Sequence, residues 1–214
     1  MRVAGIRKTS RIPGSIIVIS APSGSGKSTL VRRLMDALPD LVFSVSYTTR
    51  PPRPGERNGR EYFFISRRRF EQMIARGEFV EWADVYGQFY GTSRKQLLTA
   101  QQSGRDILLD IDVQGHRQVR DNLPEAVSVF ILPPSFQELE RRLWHRHSDA
   151  PEVIEKRLRT AQKEITYWSE YHYIVVNDRL PTASRALRAI VEAARFRRQT
   201  RADEALGILK TFGG

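Results

Sequence analysis

The stretch Ser15-Ile16-Ile17-Val18-Ile19-Ser20-Ala21-Pro22-Ser23-Gly24-Ser25-Gly26-Lys27-Ser28-Thr29 constrains the chain more than any other. Its apolar run has no polar alternation, the mark of a strand covered on both faces. A loop of small residues follows, and then Leu30, Val31, Leu34, Met35 and Leu38 repeat at helical spacing. Strand, glycine loop and amphipathic helix in this order build a phosphate cradle. Gly24 and Gly26 let the backbone wrap so that its N–H groups point inward, and Lys27 adds a point charge. The Ser28 hydroxyl is a hard ligand suited to Mg²⁺, and the positive end of the helix faces the same anion. The pattern G-x-x-x-x-G-K-[ST] fits everywhere except at Ala21. Alanine is compatible there while φ stays negative, and Pro22 biases it toward extended backbone. Ala21, Pro22, Ser23, Gly24, Ser25, Gly26, Lys27, Ser28 and Thr29 are therefore expected to wrap the phosphates of a nucleotide.

The rest of the chain repeats the alternation. Ile16–Ser20, Val42–Ser46, Ile107–Ile111, Val127–Leu132 and Tyr173–Val176 read as buried strands. Two further apolar stripes read as helices: Ile154, Leu158, Ala161, Ile165 and Trp168, then Leu187, Ile190, Val191 and Ala194. The order predicts right-handed crossovers and a parallel sheet of about five strands in an α/β fold. Between Thr48 and Thr92 the rhythm breaks. A Pro/Gly-rich loop, an Asn58-Gly59 turn, a strand at Tyr62–Ile65 and a hairpin of Phe79–Tyr86 and Phe89–Tyr90 about Gly87-Gln88 read as an inserted mixed-β lobe. Ligands of parallel sheets bind beyond the strands' carboxyl ends, where both the lobe and the glycine loop emerge. There Asp110 and Asp112, two apart on an extended chain, are expected to leave the same face, with Asp110 serving a hydrated metal.

Composition narrows the partners. No apolar run approaches the ~20 residues needed to cross a bilayer, and no secretory h-region stands near Met1. The chain has no cysteine, so it forms neither disulfide nor thiolate site, which suits a reducing compartment. The expected location is cytoplasmic. The net charge of +11 suits polyanionic partners. Much of the excess lies in runs that read as solvated faces or ends: Arg2 to Arg11, Arg67 to Arg69 and Arg195 to Arg201. Arg50 and Arg53 differ, because they stand three apart on a proline-stiffened loop, where guanidinium forks suit a phosphate.

The ordered set SYTTRPPRPGE, FVEWADVYGQFYGTS, LLDIDVQG, ILPPS and IVVND resembles the guanylate kinase family from about Ser15 to Arg198. The resemblance implies a P-loop three-layer fold with a helical lid and a GMP-binding inserted lobe, and phosphoryl transfer from ATP to GMP (or dGMP) with Mg²⁺. It divides the chain into a basic tail (1–14), a core (15–45, 95–140 and 166–198), the lobe (46–94), the lid (141–165) and a C-terminal tail (199–214). By likeness Ser46, Arg50, Arg53, Glu56, Tyr62, Glu81, Tyr90, Thr92 and Asp112 hold GMP. Arg50, Arg53, Tyr62 and Tyr90 lie on its phosphate. The chemistry agrees, since guanine presents N1–H and an exocyclic amine side by side, which a carboxylate accepts as a pair. Adenine offers no such pair and would leave the acids unmatched.

By the same likeness Arg142, Arg146 and Arg157 bring charge over the phosphates, with Lys27 and Arg50 completing the catalytic set, and Asn177 lies near the ATP base. The chain departs from the family where Arg146-His147-Ser148-Asp149 lacks an expected glycine, which would stiffen the lid hinge. His145 and His147 lack a third ligand in the sequence and read as lid residues. Two other classes compete with the kinase reading. A non-catalytic peptide-binding relative would carry a degraded loop, yet Gly26, Lys27, Ser28 and Asp110 all stand. A nucleic-acid-binding ATPase would expose aromatics along a basic groove, whereas here most aromatics fall at apolar or lobe positions, so no nucleic acid is expected.

Overall fold

A computed structural model describes residues 12–85, 87–145 and 150–212. The opening strand β1 (Ile16–Ser20) is buried along its whole length and leads through the glycine loop into α1 (Lys27–Ala37). The chain then forms β2 (Val42–Phe43) and, in the lobe, β3 (Tyr47–Thr48), β4 (Phe63–Phe64), α2 (Arg67–Ala75), β5 (Phe79–Val85) and β6 (Gln88–Ser93). It returns through α3 (Arg94–Gln102), β7 (Ile107–Asp110), α4 (Val113–Asn122) and β8 (Val127–Leu132). Next come α5 (Phe136–Trp144), α6 (Pro151–Glu164), β9 (Tyr173–Val176), α7 (Leu180–Ala194) and α8 (Arg198–Leu209).

The core sheet has the order β2-β7-β1-β8-β9, and every pairing in it is parallel. Side chains of β1 alternate between its two faces. Ile17 and Ile19 meet Leu30, Val31 and Leu34 of α1 and Leu187 and Val191 of α7, whereas Ile16 and Val18 meet Leu97 of α3 and Val119 of α4. Two apolar layers therefore cover one sheet, and no polar alternation is possible in its central strand. None of the described helices is long and apolar enough to cross a membrane.

Several expected boundaries shift, each for a local reason. The run from Val42 to Ser46 stays in the core sheet only as far as Ser44, whose N–H donates to the Leu108 carbonyl at 2.9 Å. Beyond it Tyr47 and Thr48 pair with β4 and β6 instead. The strand expected at Ile107–Ile111 ends at Asp110, and the one expected at Tyr62–Ile65 is confined to Phe63–Phe64. Asp112 does not extend β7. It caps α4, its Oδ1 accepting the Gly115 N–H at 2.8 Å, so the two acids leave a strand end and a helix cap rather than one extended face. Ile165 and Trp168 are exposed although they continue the α6 stripe. After Glu164 the backbone tightens to a 3₁₀ turn, whose three-residue period rotates them off the buried face. Gln88 belongs to β6, where it pairs with Val85, rather than to the hairpin turn. Gly87 supplies the positive φ of 80° that this turn requires.

The second sheet, ordered β4-β3-β6-β5, has an aromatic core of Phe70, Phe79 and Phe89, with Phe70 and Phe79 stacked at 4.4 Å. Helices α5 and α6 bury Leu139, Leu143, Ile154, Leu158 and Ala161 against one another. The segment after Arg198 forms α8, which buries none of its residues. Residues 1–11 lie outside the described residues.

Candidate active site

The glycine loop stands at the carboxyl end of β1. Gly24 and Gly26 have φ values of 91° and 86°, where any other residue would be strained, while Ala21 packs against the adjoining core. The loop is braced from below. Asn177, buried at the end of β9, donates from Nδ2 to the Ser25 carbonyl at 2.8 Å, and its own N–H continues the ladder to Leu132. A Cβ on Gly26 would come within 2.4 Å of that same amide nitrogen. Asn177 thus positions the loop, and it also lines an open cleft of about 360 Å³ with Gly24, Gly26, Thr29, Arg142 and His145.

Beside the loop, Lys27 forms an ion pair with Asp110 and lies 3.5 Å from the Ile111 carbonyl. Parallel register brings this about, because Asp110 pairs with Ile19, two residues before the loop begins. Ser28 is exposed at the start of α1. Pro22 and Ser25 are buried; Ser23 and Thr29 are half-buried.

Across the cleft the lobe presents a second set. Glu56 organises it, receiving the Arg50 guanidinium at 2.8 and 3.0 Å and the Arg53 backbone N–H at 2.7 Å. These donors, Arg50 first, hold the Glu56 carboxyl below its ordinary range, and the same bond raises Arg50 further. Arg50 also lies 5.4 Å from the centre of the Tyr62 ring, which meets the Tyr90 ring edge-on at 5.7 Å. Burial raises the Tyr62 hydroxyl, with lesser contributions from Tyr90 and from Asp110 of the core, so lobe and core electrostatics meet there.

Glu81 is 5% exposed. It follows a break in the β5–β6 register between Phe79 and Glu81. Such a bulge re-aims side chains, and here three consecutive residues are buried in three directions. Phe79 enters the lobe core, Val80 enters the main core, and Glu81 accepts the Thr92 hydroxyl at 2.6 Å. Burial pushes the Glu81 carboxyl up to about 7; the Thr92 bond opposes the rise and the Asp112 charge adds to it. Gly115 closes the pocket wall, since a Cβ there would stand 2.7 Å from Glu81 Oε2. Ser46, half-buried, gives its carbonyl to the Phe63 N–H at 2.9 Å.

A family model described as guanylate kinase matches residues 14–194. The chain belongs to the guanylate kinase family. A guanylate kinase of Dechloromonas aromatica is 52% identical over 181 residues, covering 85% of this chain and 90% of the relative. One of Koribacter versatilis is 56% identical over 190 residues, covering 87% of this chain and 82% of the relative. The crystal structure of guanylate kinase from Anaplasma phagocytophilum superposes with a TM-score of 0.71 at 35% identity, covering 87% and 89% of the two chains.

Arg142 is tethered. Its Nε donates to Glu138 Oε1 at 2.7 Å and its terminal nitrogen to the Asn177 carbonyl at 3.0 Å, so it flanks the glycine loop from α5. Arg157 is half-buried on α6, and Arg146 lies outside the described residues with His147. Three participants escape the motif reading. Gly115 shapes the acid pocket through a missing Cβ, a role visible only once β5 meets α4. Glu164, the last residue of α6, has a buried carboxyl oxygen, and burial raises its carboxyl. His116, buried on α4 and stacked on Tyr171 at 3.8 Å, is pushed down to about 4 chiefly by burial, so it stays neutral.

Proposed function

We propose that this chain transfers the γ-phosphoryl group of ATP to GMP or dGMP, giving ADP and GDP. The observation that carries the acceptor assignment is the buried Glu81, held by Thr92 and close to the Asp112 charge, in a lobe that also carries Arg50, Arg53, Tyr62 and Tyr90. A guanine edge supplies the paired donors that these acids lack, and removes the burial penalty on Glu81 by hydrogen-bonding its charged form. Ser46 offers a hydroxyl toward the guanine carbonyl, while the Thr92 hydroxyl is already given to Glu81 and holds that acid in place. On this reading residues 46–94 form the acceptor lobe, 141–165 the lid, and the core of 15–45, 95–140 and 166–198 carries the donor site.

The glycine loop receives the β and γ phosphates of ATP, with Lys27 neutralising them and Asn177 near the base side. Mg²⁺ fits the donor set, because the Ser28 hydroxyl and the Asp110 carboxylate are hard oxygens and this ion takes only a few protein ligands beside phosphates. The ion, held by Ser28 and Asp110, would supply charge neutralisation to the phosphates. Arg142, Arg146 and Arg157 are assigned to the charge that develops on the transferring group. The GMP phosphate is already anionic at neutral pH, so the attack needs positioning more than a general base.

The test is a coupled assay of ADP formation with ATP and each nucleoside monophosphate in turn. GMP-dependent turnover with little from AMP, CMP or UMP is expected. Absence of turnover with GMP would overturn the reading.

A further inference from the structure

We propose that Gln118 is a positioning residue for acceptor recognition: with Asn122 it grips the β5 backbone on either side of Glu81 and so fixes where that carboxylate meets guanine. The inference rests on the phosphoryl-transfer reading given above. β5 is the edge strand of the lobe sheet, so its outer side has no strand partner among the described residues. Helix α4 of the core fills that side. Gln118 Oε1 accepts the Trp82 N–H at 3.1 Å, and Gln118 Nε2 donates to the Trp82 carbonyl at 2.7 Å. Asn122 Nδ2 donates to the Val80 carbonyl at 2.9 Å. A carboxamide that takes the N–H and the C=O of one residue together stands in for a neighbouring strand, and the two bonds fix its orientation. The residue between the two grips is Glu81.

Helix geometry puts the grip in line with the acid pocket. Gly115, Gln118 and Asn122 are spaced by three and then four residues, which sets them on one stripe of α4. Gly115 lets Glu81 approach the helix, and the two amides farther along hold the strand that carries it. Asp112, the second acid assigned to the guanine, caps the same helix. Pairing with β6 alone would leave Glu81 loosely placed, because the register breaks between Phe79 and Glu81. At that break the strand passes from one core to the other: Phe79 belongs to the lobe cluster, and Val80 shares a buried cluster with Val119 of α4. The Thr92 hydroxyl then holds one carboxylate oxygen, while Gln118 and Asn122 hold the backbone from which the carboxylate extends. A guanine edge needs both oxygens at hydrogen-bond distance at once, so a small displacement of the strand forfeits one of the two bonds.

Steady-state kinetics of Gln118→Met, Asn122→Ala, Glu81→Gln and the Gln118→Met/Glu81→Gln double variant test the idea, with GMP and with inosine monophosphate, whose base lacks the exocyclic amine. Wild-type turnover with GMP is read first; its absence refutes the kinase reading and this inference with it. Given turnover, Gln118→Met keeps the length of the side chain and removes both bonds. It should raise the KM for GMP about tenfold, with the KM for ATP within about twofold and kcat within about threefold of wild type. Its preference for GMP over inosine monophosphate, read as the ratio of kcat/KM values, should fall about fivefold, a change that lost stability alone would not produce. Asn122→Ala frees one carbonyl at an exposed helix end and should raise the KM for GMP about threefold, with ATP spared. In the Glu81→Gln background Gln118→Met should shift the KM for GMP by less than about twofold, because it acts through the carboxylate. A wild-type KM for GMP in Gln118→Met, an unchanged preference between the two acceptors, equal rises for GMP and ATP, or multiplicative losses in the double variant would each overturn the inference. Should Gln118→Met not fold, Asn122→Ala decides, and a wild-type KM for GMP there overturns it.

Discussion

The Glu81→Gln substitution separates the demands of folding from those of guanine recognition. In the folded chain the Glu81 carboxyl is raised from 4.5 to about 7, first by burial. A raised acid favours the fold fully below pH 4.5, where both states are protonated. As pH climbs from 4.5 toward 7 the unfolded chain releases this proton while the fold retains it, so stability falls. Above pH 7 the loss levels off at about 3 kcal/mol. Glutamine stays neutral and keeps an oxygen for the Thr92 hydroxyl, so it escapes the loss. Nucleotide-free Glu81→Gln should therefore match wild type near pH 4.5 and exceed it by about 3 kcal/mol at pH 8, or roughly 6–12 °C in melting midpoint for a chain of this size. The assay is thermal denaturation of both proteins across that pH range without ligand. At pH 8 the same variant should lose about 100-fold in KM for GMP, because an amide cannot accept both guanine donors. A stability difference that does not change with pH, or a variant less stable than wild type at pH 8, would refute the burial argument.

Three further outcomes follow from the geometry. Guanine needs the ionised carboxylate, so between pH 7 and pH 6 the wild-type KM for GMP should rise about fivefold more than that of Glu81→Gln, with the KM for ATP serving as control in rate measurements. Gly115→Ala places a methyl 2.7 Å from Glu81 Oε2 and should raise the KM for GMP by about tenfold while sparing ATP, measured by varying each substrate; equal effects on both would argue against an acid pocket selective for the acceptor. Lys27→Ala should lower kcat by about 100- to 1000-fold yet leave GMP binding measurable by calorimetry, and unchanged turnover would remove Lys27 from the donor site.

Local sequence was enough for those parts whose physics is local. Strand burial, the glycine loop and the apolar stripe of α1 appear as uninterrupted patterns because one residue's neighbours in sequence share its surroundings. The Glu56 clamp is similarly local: its partners Arg50 and Arg53 lie on the same short loop. The exit of β2 into a second sheet was not legible, because two pairing partners compete for one extended run and distant strands decide between them. Nor was the end of α6, where the apolar spacing continues through Trp168 but the backbone does not.

Residue identity alone determined a phosphate cradle, a parallel α/β sheet and an inserted lobe rich in arginine, because backbone freedom, charge and hydrophobic period belong to single short segments. Tertiary structure decided which acid is buried enough to change its proton affinity, and it did so by bringing the bulge of β5 against Gly115 of α4 and Thr92 of β6. It also decided that Asp112 caps a helix and that Asn177 braces the loop. Desolvation and long-range contact arise only when segments far apart in the chain close on one another, so no pattern within a single segment can encode them.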